Sequence, residues 1–257
     1  MLTNNTNYMK NMDLEIFFSD FHYKSIGVAV TENDHRFNSF DFCYNYFSSF
    51  VDKQKIASEQ NIETSCLQLG FYLASWGMYR GSSELLNRSL SFYIPLIKTI
   101  SECDNGIWDI DVDSYGNEVI REKIILTYRK ICHHLPNKST ITLGTKIMLG
   151  VFGNVPAYDR YFKIAITKLS KSDCRFNVLN HRSLKTIYNF YIENQEFIDS
   201  LAKRSITKKF GFQRNESHPI PRAKIIDILG FQYGLEMNRY ESPTIENLST
   251  NKKDNVI

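Results

Sequence analysis

The feature that most constrains the fold is the stretch 118–169, where apolar residues return at helical spacing and punctuation residues separate the runs. In EVIREKIILTYRKICHH, the positions Val119, Ile120, Ile124, Leu126 or Tyr128, and Ile131 mark one face of a helix over 118–134. Pro136-Asn137-Lys138 stops it. A second helix, Ile141–Phe152, runs through ITLGTKIMLGVF and ends at Gly153-Asn154, a C-cap pair. Pro156 opens the next stretch. It leads to Asp159 and an amphipathic helix, Tyr161–Leu169. The strand signal is weak throughout, so the chain is expected to be all-α.

The rest of the chain fits around this block. Residues 1–12 are Asn-rich and expected to fray. Residues 13–62 predict one or two helices around an irregular VAVTENDH connection, and Ile26–Val30 also reads as a short strand. Thr64 is a candidate cap for a helix that breaks near Trp76-Gly77 or Arg80-Gly81. Ser82 or Ser83 then caps a second helix with Leu85, Leu86 and Leu90, and Pro95 begins a third. The acidic run 101–117 reads as a loop. It lacks the oxygen ligands and terminal Glu of a calcium loop. Helices are predicted over 181–202 and 221–238, with a polar, disordered tail beyond 241. In domain terms, residues 1–63 and 170–240 form a terminal helical lobe around a core at 64–169.

Charge is unevenly spread. Residues 160–224 hold 14 Lys and Arg against 5 Asp and Glu, although the whole chain carries only +3. Such a segment can neutralise phosphates, and it is also what a solvated helix face looks like. The basic run Lys203, Arg204, Lys208, Lys209 and Arg214 is its densest part. No run approaches the ~18 apolar residues of a membrane span, and the first residues lack the pattern of a secretory signal. The five cysteines are odd in number and lack CxxC spacing, which argues against zinc or iron–sulfur ligation and fits a reducing cytoplasm. His133-His134 suit a helix C-terminus, and no metal or other cofactor is called for.

The order helix, Pro-led link, helix, Phe-Gly, Pro, Asp, helix in PNKSTITLGTKIMLGVFGNVPAYDRYFKIAI resembles the core of the helix-hairpin-helix DNA glycosylases, the endonuclease III-like superfamily. Pro136 matches the hairpin start, Phe152-Gly153 the end of the second helix, and Asp159 the catalytic carboxylate. The upstream run LQLGFYLASWGMYRGSSELLNRSL has the layout of that family's first core helices, and the likeness spans about residues 64–170. The hairpin glycines are replaced by Asn137, Lys138 and Ser139. The lysine of bifunctional members falls near Thr142, which cannot form a Schiff base, and the family's four-cysteine cluster is absent.

The resemblance implies two helical lobes with a cleft for double-stranded DNA. It also implies a monomeric, monofunctional enzyme that hydrolyses a damaged or modified base from its sugar. A pocket built around SWGMYRGSS points to an unusual base; enlarged phage-type pyrimidines would be one such substrate, and an antiviral role would follow only from that. Asp159 would stabilise the sugar cation. The run SWGMYRGSS supplies base-pocket candidates Trp76, Tyr79, Arg80, Ser82 and Ser83, with Tyr158 beside the carboxylate. DNA-contact candidates are Asn137, Lys138, Ser139, Thr140, Thr142 and Arg160, together with the basic run. Plainer readings stand beside these. SWGMYRGSS is also a helix break with a buried Trp. An Asp in this setting is also a helix cap, worth about 1 kcal/mol. The rival functions are a non-catalytic nucleic-acid-binding protein and a helical interaction or toxin-type protein.

Overall fold

Three helix starts in the described chain are set by capping side chains, Asn117, Asp159 and Asn180. The computed structural model describes residues 38–136, 141–210 and 218–241. Nine α-helices lie among the described residues: α1 (Asn38–Ser48), α2 (Ile62–Ser75), α3 (Ile94–Ser101), α4 (Glu118–Cys132), α5 (Ile141–Phe152), α6 (Arg160–Leu169), α7 (His181–Glu193), α8 (Gln195–Arg204) and α9 (Arg222–Glu241). The Asn117 side chain accepts from Val119 N–H and starts α4. Asn180 and Ser183 exchange side-chain and backbone bonds in a capping box that starts α7. No strand occurs among the described residues; Ile206 and Pro219 form one isolated antiparallel bridge. The all-α expectation is met for these residues. The frayed start, the Ile26–Val30 strand and the tail lie outside them.

Several boundaries differ from the sequence expectation. The cap of α2 is Asn61, so the helix starts before Thr64. The helix expected after Ser82 or Ser83 is two 3-10 turns, Glu84–Asn87 and Leu90–Tyr93, because Arg88 between them is extended. The helix expected over 181–202 breaks at Asn194, whose buried side chain donates to Phe190 C=O at 2.7 Å. Residues 101–117 do form a loop, but it carries core: Ile107, Ile110, Val112 and Tyr115 are buried. Two of its acids are caps, with Asp104 accepting from Gly106 N–H and Asp111 from Val112 N–H, both at 2.8 Å. Cys43, Cys66, Cys103 and Cys174 are free and buried, and Cys132 is free and partly buried.

α1 packs on α2 and α5, α4 on α5 and α7, and α9 runs along α6. The segment after α8 is stitched to α1. Asn45 Nδ2 donates to Lys208 C=O at 2.8 Å, Thr207 Oγ1 donates to Asn45 Oδ1 at 2.7 Å, and Lys208 N–H donates to Asp41 Oδ2 at 2.8 Å. The later helices thus return to the start of the described chain. Asp111 accepts from Arg222 N–H (2.7 Å) and Ala223 N–H (2.9 Å), tying the acidic loop to the first turn of α9.

Two predictions arise here. At the α6–α9 crossing, a Cβ on Gly234 would stand 2.1 Å from the Tyr161 carbonyl oxygen. That neighbour is backbone and cannot turn away, so Gly234→Ala must separate two buried helices. A loss of about 3 kcal/mol is expected, lowering the melting temperature by roughly 6–12 °C. A thermal melt checks it; an unchanged midpoint would refute the crossing.

Asp41 is the second. Burial pushes its carboxyl from 3.8 up to about 6, against the opposing pull of the Lys208 N–H and the Lys224 and Lys208 charges. The folded state therefore holds a proton that the unfolded state has released between those two pH values. This contribution is present in full below pH 3.8 and is lost as pH rises through 6. Asp41→Asn does not ionise, so its stability relative to wild type should rise across that window. Urea unfolding at several pH values reads the difference; parallel curves would contradict it.

Candidate active site

Residues 151–158 are all buried, yet the chain leaves helix at Gly153 (φ +68°) and does not re-enter it until Arg160. Irregular backbone in a core must find partners for its peptide groups. Tyr115 OH donates to the Asn154 carbonyl. Ala157 N–H donates to Asp227 Oδ1 of α9 at 3.0 Å. Tyr158 N–H donates to Thr145 Oγ1, and Thr142 Oγ1 donates to Tyr158 C=O, both at 2.9 Å. Asp159 N–H closes onto Ala157 C=O at 2.8 Å. Two threonines of α5 and one carboxylate of α9 therefore fix the segment that delivers Asp159.

Asp159 ends that segment as the N-cap of α6. Its Oδ1 accepts from Phe162 N–H at 2.9 Å. Its Oδ2 faces Lys146 Nζ of α5 at 3.7 Å. The Lys146 side chain is 4% exposed and that of Asp159 is 16% exposed. Burial raises the Asp159 carboxyl above the usual carboxylate range; Lys146 opposes this and Asp227 adds to it. Burial also lowers the Lys146 ammonium below the usual lysine range, while Asp159 and Asp227 pull it back up.

A second pair stands beside the first. Lys224 Nζ and Asp227 Oδ2, both buried on α9, are 2.7 Å apart. Both ammonium groups lie over the Trp76 indole, Lys146 at 4.8 Å and Lys224 at 4.6 Å from its centroid. Trp76 is the C-cap residue of α2. It is held there because Gly77, at φ +77°, closes the helix: Gly77 N–H donates to Ala74 C=O and Met78 N–H to Leu73 C=O, both at 2.9 Å. The indole edge meets Phe231 of α9. The centre thus contains two cations, two carboxylates and an aromatic face, drawn from α2, α5, α6 and α9.

The residues singled out in the sequence divide accordingly. Trp76 and Asp159 converge on Lys146. Tyr79 instead bonds Tyr93 OH to OH at 2.7 Å. Arg80 folds its guanidinium against Gly77, Ser82 is exposed, and Ser83 caps the 3-10 turn at Glu84. Tyr158 is placed in the core rather than in a pocket. It is fully buried, stacks on Phe162, and donates to Ser183 Oγ at 3.2 Å. Asn137, Lys138, Ser139, Thr140 and Arg214 lie outside the described residues. Thr142 is occupied by the Tyr158 carbonyl, and exposed Arg160 bonds Asn238 at 2.8 Å. Lys203 and Arg204 are exposed at the end of α8, whereas Lys208 and Lys209 are partly buried. A separate cavity of about 500 Å³, with Tyr44, Trp108, Phe152, His218 and Arg222 in its wall, is not lined by Asp159 or Trp76.

Lys146, Lys224 and Asp227 escaped the sequence reading. Lys146 is the single charged residue of an otherwise apolar or small-polar helix, and Lys224 and Asp227 stand three apart in AKIIDILG. A charge inside an apolar run was the available signal. Among the described residues, no group of three or more His, Cys, Asp and Glu side chains is placed to hold a metal, and no helix is long and apolar enough to cross a membrane. The chain matches no protein-family model, no curated protein and no solved structure.

Proposed function

We propose that the protein is a monofunctional DNA glycosylase that hydrolyses the N-glycosidic bond of a damaged or modified base and leaves an abasic site. The observation that carries this reading is the Asp159 carboxylate. It is fixed at a helix start by a loop bonded to Thr142, Thr145 and Asp227, largely withdrawn from water, and set beside a buried ammonium. A helix cap alone needs only the Phe162 bond. Burying Lys146 opposite it costs desolvation energy that a purely structural Asp does not require.

In this reading Asp159 faces the sugar as positive charge develops at C1′, and the target base leaves the stack to reach it. α4 and α5 take the places of the helices that flank the hairpin in that family, and duplex DNA occupies a cleft between two helical lobes. Lys203 and Arg204 are the accessible phosphate contacts at the end of α8. The bond from Asp159 to Phe162 N–H favours one alternative, a non-catalytic nucleic-acid-binding protein in which Asp159 only caps α6.

The full chain, incubated with duplexes carrying a panel of damaged and modified bases and then treated with alkali, tests the proposal. Strand breaks at one class of modified base are expected. DNA binding without breaks on any duplex would favour the alternative.

A further inference from the structure

The two buried ion pairs differ in a way that separates their roles. Lys224 Nζ and Asp227 Oδ2 are at hydrogen-bond length, 2.7 Å, as a structural pair should be. Lys146 Nζ stands 3.7 Å from Asp159 Oδ2, beyond that length. Among the described residues, Asp159 is its only charged partner within 4 Å, and its other neighbour is the Trp76 face. A side chain that is 4% exposed thus holds its ammonium at more than hydrogen-bond length from the carboxylate assigned to the sugar, a looser pairing than that of Lys224 with Asp227.

We infer that Lys146 is the general acid of this site, donating a proton to the departing base while Asp159 faces the sugar. The inference rests on the glycosylase reading. The base it serves carries an acceptor next to its glycosidic nitrogen, as does O2 of a pyrimidine or N3 of a purine. The C1′–N bond breaks heterolytically, and its electron pair stays on the base. The base takes a proton from Lys146 Nζ. Water adds to C1′, and the proton it loses passes by way of Asp159 to the Lys146 amine, which restores both groups.

The surroundings suit that task. The groups around Lys146 are Asp159 on α6, Lys224 and Asp227 on α9, and Trp76 and Tyr72 on α2, with Asp41 of α1 reaching the cluster through Lys224. Burial and Lys224 ease proton loss from Lys146, and the two carboxylates restrain it. A lysine held below its ordinary value gives up its proton more readily than one at that value.

The test uses the full chain, a duplex from which wild type releases base, and its 5-fluorouracil counterpart. Single-turnover release is followed against pH for wild type, Lys146→Met and Lys146→Arg. Wild type is expected to lose rate tenfold per pH unit above the Lys146 titration. Lys146→Met should be slower by roughly 100-fold at neutral pH, lack that alkaline limb, and recover most on the better fluorinated leaving group. Lys146→Arg keeps a cation beside Asp159 but holds its proton, so it too should be slow and lack the limb; it serves if Lys146→Met does not fold.

Competitive acetylation of the Lys146 amine, read by mass spectrometry, should show it titrating below ordinary lysines without any DNA present. Two results overturn the inference while leaving the glycosylase reading intact: a wild-type alkaline limb in Lys146→Met, or an ordinary lysine titration; a borohydride-trapped adduct at Lys146 would make it a nucleophile and overturn the monofunctional reading as well. No release by wild type from any duplex withdraws both.

Discussion

Asp159→Asn is expected to lower base release by roughly 100- to 10,000-fold while keeping the α6 cap, at a stability cost of about 1–3 kcal/mol for leaving the Lys146 ammonium without its carboxylate. The two halves of that expectation have separate causes. Asn is as good an N-cap as Asp, so the bond from Phe162 N–H survives. Burial raises the Asp159 carboxyl, which means the fold already disfavours its charge, and a neutral side chain of the same shape escapes that penalty. Catalysis loses the negative charge that meets the sugar cation. Alkali cleavage of a susceptible duplex and a thermal melt of the same preparation read both. Equal activity in wild type and variant would reduce Asp159 to a cap.

Asp227→Ala should have the largest effect on stability. It removes the partner of the buried Lys224 ammonium and the acceptor for Ala157 N–H in one step. Stranding a buried charge costs about 3–5 kcal/mol, or on the order of 10 °C in melting temperature for a chain of this size. Replacing both partners, Lys224→Met with Asp227→Leu, should recover much of the loss, because no charge is then left unpaired. The Ala157 N–H remains without its acceptor in the double variant, so recovery should be incomplete. Denaturant unfolding of the single and double variants measures this. A double variant as unstable as Asp227→Ala would show that the ion pair is not the source.

These expectations rest on features of unequal legibility. The helix Ile141–Phe152 was readable to the residue, because its apolar run is closed by Gly153-Asn154 and Pro156. α4 and α6 were readable within one or two residues for similar reasons. The break at Asn194 was not, since apolar spacing continues across it and only the fold shows an Asn side chain bonded to Phe190 C=O. In the same way, the role of Asp159 was proposed from residue order, but its partner was invisible. Lys146, Lys224 and Trp76 meet only through packing of helices separated by more than 60 residues. Local pattern carries propensity and capping; it does not carry which buried charges face each other.

The centre gathers residue 76 from α2, residues 146 and 159 from α5 and α6, and residues 224 and 227 from α9. This layout fixes an order of events during synthesis. A nascent chain can form α4, α5 and α6 locally, but Ala157 N–H has no Asp227 to accept it until α9 has emerged. Lys146 and Asp159 are then present but not yet immobilised. The arrangement of these buried groups is completed by the last helix of the described chain. An unfinished or prematurely terminated product therefore carries Lys146 and Asp159 without the contacts that hold them in place.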